Sequence, residues 1–220
     1  MNVEQLLTST RSARKSLDLN APVDLDEVRE CLRVGLHAAN GTNLQSWRWL
    51  IVTDQDLRTR IAALYRNAYL DKVGGQLIAG FMPEGTPETR IMSSTEWLVE
   101  HLGEVPILVI PCYESTMPRS DGDESFYVAT VYGSIFPAVW NFQLALHTRG
   151  YGTCITTLHL HHEKEVRSLL KIPDSAVQGC LLPVARLKSG HVFGPRRVGT
   201  SPRSSASTVG RASDGRRRLG

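Results

Sequence analysis

The 220 residues are 41% hydrophobic and 21% charged, ample for one folded domain with a core and too balanced for a chain disordered along its whole length. The formal charge of +3 is uneven: residues 199–220 hold five arginines against Asp214, a local +4, which leaves the first 198 residues at −1 and excludes a strongly basic, nucleic-acid-binding body. No amino-terminal stretch pairs a basic start with a long apolar run, so the sequence predicts a cytoplasmic protein that is neither exported by that route nor anchored in a membrane.

Val3, Leu6 and Leu7 predict a short helix up to about Thr10. It leads into Thr10-Arg11-Ser12-Ala13-Arg14-Lys15, three cations and hydroxyls with no carboxylate among them, a pattern suited to an anion. Asp24, with Glu27 three residues on, predicts a capped helix with Val28, Leu32, Leu36 and Ala39 as its buried stripe. That helix runs into the small polar loop Ala39-Asn40-Gly41-Thr42-Asn43, which can adopt left-handed angles and come close to a ligand. Trp47 to Thr53 reads as a strand, and Asp54 caps a further helix with Leu57, Ile61, Leu64 and Tyr65 inward.

Lys72 to Thr89 mixes glycines and prolines with apolar residues and suits a flap over a pocket. Glu88 to His101 reads as helix, and Val105 to Tyr113, almost continuously apolar, as a strand buried on both faces. Glu114 to Ser125 reads as loop. Val131, Ile135, Val139, Phe142 and Leu146 recur at steps of three and four from Phe126 onward, and the opposite face holds Tyr132, Phe136, Trp140 and Leu144. A helix apolar on nearly every side is expected to be the central buried one. Pro137 and Asn141 near its middle argue against a membrane span.

Gly150 ends that helix, and Gly152 to Leu158 reads as a buried strand entering a ligand site. His159, His161 and His162 lack partners at metal-ligand spacing, so no metal is expected. Cys31, Cys112, Cys154 and Cys180 are too scattered for metal or redox motifs and read as buried thiols. Glu163 to Leu170 is a predicted helix and Val177 to Leu187 a predicted strand. Pro195-Arg196-Arg197 closes a folded unit of residues 1–198. The Ser/Arg/Gly-rich residues 199–220 are expected to be a disordered tail. The excess of Arg over Lys suggests a GC-rich bacterial source.

Four of these stretches, in order, resemble the FMN-dependent nitroreductase family. Thr10-Arg11-Ser12-Ala13-Arg14 is similar to the family's Arg-Arg-Ser-x-Arg run, with Thr10 in place of the first Arg. Ala38-Ala39-Asn40-Gly41-Thr42-Asn43-Leu44-Gln45-Ser46-Trp47 resembles its Ala-Pro-(Ser/Thr)-(Gly/Ser)-x-Asn-x-Gln-Pro-Trp, with Ala39 and Ser46 in place of the prolines. Arg149-Gly150-Tyr151-Gly152-Thr153-Cys154 is similar to its Gly-Leu-Gly-x-Cys turn, and Pro195-Arg196-Arg197 to its last arginine.

The resemblance implies an α+β fold: a central mixed, mostly antiparallel sheet surrounded by helices, with the long buried helix at a homodimer interface and FMN sites shared between subunits. It also implies that Arg11, Ser12 and Arg14 hold the FMN phosphate and the pyrimidine side of the ring. Arg14 is the cation beside N1 and the C2 carbonyl that tunes the flavin, and no further catalytic residue is implied. Asn40, Gly41 and Asn43 would reach the flavin of the partner subunit, backbone groups around Thr156 and Thr157 would face N5, and Arg196 or Arg197 would close on the phosphate.

The implied activity is ping-pong hydride transfer from NADPH or NADH to a small electron-poor acceptor such as a nitroaromatic or quinone. The alternatives are an FMN-binding or sequestering protein without turnover, an enone reductase, a flavin-fragmenting enzyme, or a relative fed by a reduced deazaflavin. No Gly-x-Gly-x-x-Gly fingerprint supports a Rossmann dehydrogenase, and neither nucleic acid nor membrane is an expected partner.

Overall fold

The computed structural model describes residues 1–71, 87–114, 124–191, 193 and 194. Most of the expected flap, the 115–123 part of the loop before the long helix, Arg196, Arg197 and the tail lie outside the described residues.

Among the described residues six α-helices carry the fold: α1 (Val3–Ser9), α2 (Leu25–Gly35), α3 (Gln55–Tyr69), α4 (Pro87–His101), α5 (Glu124–Thr148) and α6 (Glu163–Leu170). Their starts follow local chemistry. Asn2 and Gln5 form a capping box at α1, Asp24 accepts from the Asp26 and Glu27 amides at α2, and Asp54 accepts from the Leu57 amide at α3.

The strands are β1 (Leu17–Asp18), β2 (Trp47–Val52), β3 (Ile107–Glu114), β4 (Tyr151–Gly152), β5 (Ala176–Gln178) and β6 (Leu182–Leu187). They form one sheet with the path β1-β6-β3-β2, on which β4 pairs β6 and β5 pairs β3. Every pairing among the described strands is antiparallel.

Strand β3 organises the interior, because its side chains alternate between two cores. Leu108, Ile110 and Cys112 join Ile61, Tyr65, Leu98 and Leu102 from the α3 and α4 side. Ile107, Val109 and Tyr113 join Val131, Ile135, Val139 and Phe142 of α5 and Val28 and Cys31 of α2. Apolar residues at consecutive positions are required of a strand covered on both faces. All four cysteines are buried and free.

Three elements differ from their sequence pattern. The predicted strand from Gly152 to Leu158 is reduced to the two residues of β4 and an isolated bridge between Thr156 and Leu181, because the Thr153 carbonyl accepts instead from the Ala13 amide at 2.8 Å. The run from Val177 to Leu187 is broken between β5 and β6. There a Cβ on Gly179 would meet Ile135 Cγ2 at 2.8 Å, and the Gly179 amide donates to the Pro111 carbonyl. Helix α2 stops at Gly35, so Leu36 and Ala39 of its expected stripe are exposed, and its buried face is Val28, Cys31 and Gly35.

Helix α5 is buried on one side only. Phe126 and Trp140 are 63% and 40% exposed, and Gly133 and Pro137 are exposed beside them. Pro137 has no N–H to offer the Gly133 carbonyl one turn earlier. Among the described residues no helix is long and apolar enough to cross a membrane.

Candidate functional site

The amino-terminal cationic run is seated on the segment after β4 by the backbone of Ala13. The Ala13 amide donates to the Thr153 carbonyl at 2.8 Å and Ala13 is buried, whereas Ser12 is exposed and Arg11 and Arg14 are half-buried on either side of it. The close approach needs Gly152: a Cβ there would lie 2.6 Å from Leu187 Cδ2, 2.7 Å from Leu17 Cδ2 and 2.8 Å from Ala13 Cβ. Gly150, with φ of +76°, makes the preceding turn in the left-handed region that glycine adopts freely.

Arg14 lies beside the Cys154 thiol and close enough to Tyr65 to influence both. Burial pushes Cys154 up to about 11, partly offset by the Arg14 guanidinium. Burial likewise pushes Tyr65 up to about 12, with its hydrogen bond to Thr156 working the other way. Both groups are therefore neutral at pH 7, and neither offers the arginines a negative charge. The Nε atoms of Arg11 and Arg14 and Oγ1 of Thr153 are buried without a hydrogen-bond partner. Unpaired buried guanidinium nitrogens are costly in isolation and suit an anionic ligand.

Thr156 is fixed at three points. Its amide donates to the Leu181 carbonyl at 3.0 Å, its carbonyl accepts from the Leu181 amide at 2.8 Å, and its hydroxyl is 2.7 Å from the Tyr65 hydroxyl. The Thr157 carbonyl accepts from the Leu160 amide. Of the four backbone polar groups on Thr156 and Thr157, three are engaged inside the protein. Lys15 Nζ donates to Ser93 Oγ at 2.7 Å and the Tyr69 hydroxyl to Glu96 at 3.3 Å, so α4 is tied both to the cationic run and to the end of α3.

The second set, Asn40, Gly41 and Asn43, stands elsewhere. The Gly41 amide donates to Ser134 Oγ at 3.0 Å, and Trp47 Nε1 donates to the Ser134 carbonyl at 2.8 Å. Thr42, Asn43 and Gln45 have φ of 50°, 53° and 51°. Left-handed angles at non-glycine residues cost roughly 1–3 kcal/mol each and persist only where the surroundings enforce them. The side chains of Asn40 and Asn43 accept from the amide and the side chain of Gln45, both at 3.0 Å.

Within one chain the two sets are apart. The loop is held at Ser134, near the middle of α5, whereas α1 lies along its carboxy-terminal part, where Leu6 shares a shallow depression with Asn141, Ala145 and Thr148. Ser134 and Ala145 are about 16 Å apart along a helix axis.

His159 is fully buried while His161 is exposed, so the two do not converge. Among the described residues no group of three or more His, Cys, Asp or Glu side chains is placed to hold a metal. Sequence reasoning missed Tyr65, Ser134 and the Lys15 to Ser93 link, because each joins residues far apart in the chain. The only advance signal for Tyr65 is a polar group on an inward helical stripe.

Comparisons of sequence and of structure place this chain among known proteins. The iodotyrosine deiodinase of Thermotoga neapolitana is 28% identical over 160 residues, 73% of this chain and 76% of that one. Among solved structures, an oxidized iodotyrosine deiodinase bound to FMN and 3-iodo-L-tyrosine is similar with a TM-score of 0.68 at 22% identity, over 93% of this chain and 100% of that chain. A nitroreductase with bound FMN from Bacteroides fragilis is similar with a TM-score of 0.65 at 16% identity, over 96% and 100%. Residues 7–186 match the nitroreductase family, and with that span covered and the fold shared, the chain belongs to the nitroreductase family.

Proposed function

We propose that this chain is an FMN-dependent oxidoreductase that takes hydride from NADPH or NADH and passes electrons to a small electron-poor acceptor such as a nitroaromatic or quinone. The observation that carries the reading is the cationic run: Arg11 and Arg14, with buried unpartnered Nε atoms, flank a segment fastened to the Thr153 carbonyl beside Thr156. These donors fit FMN, which brings a phosphate dianion and an electron-rich pyrimidine edge to be met by guanidinium groups.

Arg11, Ser12 and Arg14 hold the phosphate and the pyrimidine side, with Arg14 the cation that tunes the ring, and Arg196 or Arg197 closes on the phosphate. The Thr157 amide, the backbone group of its pair without a partner among the described residues, is the donor for N5. Bound there, the isoalloxazine supplies the two-electron carrier between donor and acceptor.

Asn40, Gly41 and Asn43 act across a homodimer. The exposed face of α5, with Phe126, Gly133, Pro137 and Trp140, is the surface a second copy covers. A two-fold axis crossing α5 near Trp140, midway between Ser134 and Ala145, sets Ser134 of one helix against Ala145 of the other. The loop of one copy then meets the arginines of its mate.

A second reading has its own support in the likeness to iodotyrosine deiodinases: the acceptor is an iodinated phenol, from which iodide is released. The absorption spectrum of freshly purified protein tests the cofactor, with bound-flavin bands expected. Anaerobic NADPH, followed by a nitroaromatic or by 3-iodotyrosine with iodide measured, then separates the two acceptors. Colourless protein that does not quench added FMN fluorescence defeats both readings, and flavin bleached by donor but reoxidised by no acceptor leaves a binding protein.

A further inference from the structure

We propose that Ser134 is the positioning residue for the cofactor loop, acting through Gly41 to hold Asn43 and its neighbours in the shape that meets FMN. The inference rests on the reading of Asn40, Gly41 and Asn43 as cofactor-binding residues and names what shapes them.

Ser134 is buried on α5 and acts in two directions. Its hydroxyl donates to the Thr130 carbonyl at 2.7 Å within the helix and accepts from the Gly41 amide at 3.0 Å. Its carbonyl accepts from Trp47 Nε1 at 2.8 Å. One residue of the helix therefore grips both ends of the segment 41–47.

Between those grips, Thr42, Asn43 and Gln45 hold left-handed angles, and Leu44 is 53% exposed although apolar. A loop optimised for one chain alone would relax three such residues and cover the leucine. This one is bent outward and kept so, which is the behaviour of a loop shaped for a ligand or a mate. Gly41 leaves room for the grip: a Cβ there would lie 3.3 Å from Ser134 Oγ and 3.5 Å from Thr130 Cγ2. A mid-helix serine that bonds the carbonyl four residues back is ordinary; one that also accepts from a loop amide 93 positions away is not explained by the helix alone.

The test uses the full chain as Ser134→Ala and Ser134→Thr. Expected for Ser134→Ala are an unchanged dimer by light scattering, FMN bound about tenfold more weakly, the cost of about one hydrogen bond, and an altered visible circular dichroism of the bound flavin. Faster amide hydrogen exchange confined to residues 41–45 accompanies these in the apoprotein. Ser134→Thr, which keeps the hydroxyl, recovers affinity and spectrum. Equal FMN affinity and equal exchange in Ser134→Ala overturn the inference while leaving the cofactor reading intact. Wild-type protein that binds no FMN overturns both, whatever the exchange shows.

Discussion

Replacing Gly152 by alanine tests whether the approach of the cationic run to the sheet sets the site. The new Cβ would fall within 2.8 Å of three atoms. Two of them, Leu187 Cδ2 and Leu17 Cδ2, end flexible side chains that can swing away. The third, Ala13 Cβ, stands on backbone pinned to the Thr153 carbonyl next door, so relief comes from moving the segment that carries Arg11 and Arg14. Restoring an ordinary contact of 3.4 Å from 2.8 Å displaces Ala13 by about 0.6 Å. Overpacking of this kind costs about 1–3 kcal/mol, and a chain of this size loses about 2–4 °C in Tm per kcal/mol. A shift approaching 1 Å in charged ligand-binding groups can cost up to about a hundredfold, so FMN affinity is expected to fall about tenfold or more. Urea or thermal unfolding and fluorescence titration with FMN measure the two effects. A Gly152→Ala protein with wild-type Tm and FMN affinity refutes both the steric argument and the placement of the arginines.

Three further outcomes follow from the same geometry. Arg14→Ala lowers the potential of the bound flavin, since a cation at the pyrimidine side favours the reduced, anionic ring; a dye-coupled titration giving the wild-type value removes Arg14 from that role. Burial holds His159 down to about 4 from an ordinary 6.5, so the unfolded chain takes up a proton that the folded one refuses. Stability is then lost as pH falls from about 6.5 to 4, by on the order of 3 kcal/mol, and His159→Leu flattens that part of the stability curve measured by urea unfolding. Gly133→Trp places bulk on the exposed face of α5, where a Cβ meets nothing within 4 Å. It is expected to yield folded monomer by light scattering together with loss of FMN, and an intact dimer would move the interface off that face.

What the sequence conveys well is whatever one segment decides by itself. The run that became β3 is legible because burial on both faces leaves a continuous apolar signal, and α5 because its buried side repeats at steps of three and four. The cationic run is legible because Arg11, Arg14 and Lys15 crowd together without a carboxylate. The failures share a cause in contacts between distant segments. Gly152 to Leu158 has the composition of a strand, yet Ala13 takes the Thr153 carbonyl that a ladder would have used. Val177 to Leu187 reads as one strand until Ile135 and Pro111 crowd Gly179. Leu36 and Ala39 fit the period of α2, but Gly35 packs against Ala138 and Phe142 and the helix ends there. Strand β1 is two residues long and has no periodicity to detect. Tyr65 and Thr156, 91 positions apart, give no sign in either neighbourhood that their hydroxyls meet.

Helix α5 also bears on the proposed division of the site between two copies. Its inner face closes one of the two cores through Val131, Ile135, Val139 and Phe142, while Ser134, near mid-helix, fastens the loop and α1 lies along the carboxy-terminal part. A single helix cannot bend to bring two points about 16 Å apart on its length together. Two such helices crossing about a two-fold axis near Trp140 do so without any bending, because Ser134 of one then faces Ala145 of the other. On that arrangement cofactor binding and assembly are one equilibrium: FMN stabilises the pair, and separating the pair releases FMN by mass action. The prediction is quantitative in form, since the apparent FMN affinity should fall on dilution through the dimer dissociation constant. An affinity independent of protein concentration across that range, with monomer demonstrably present, would mean that one chain gathers the whole site by itself.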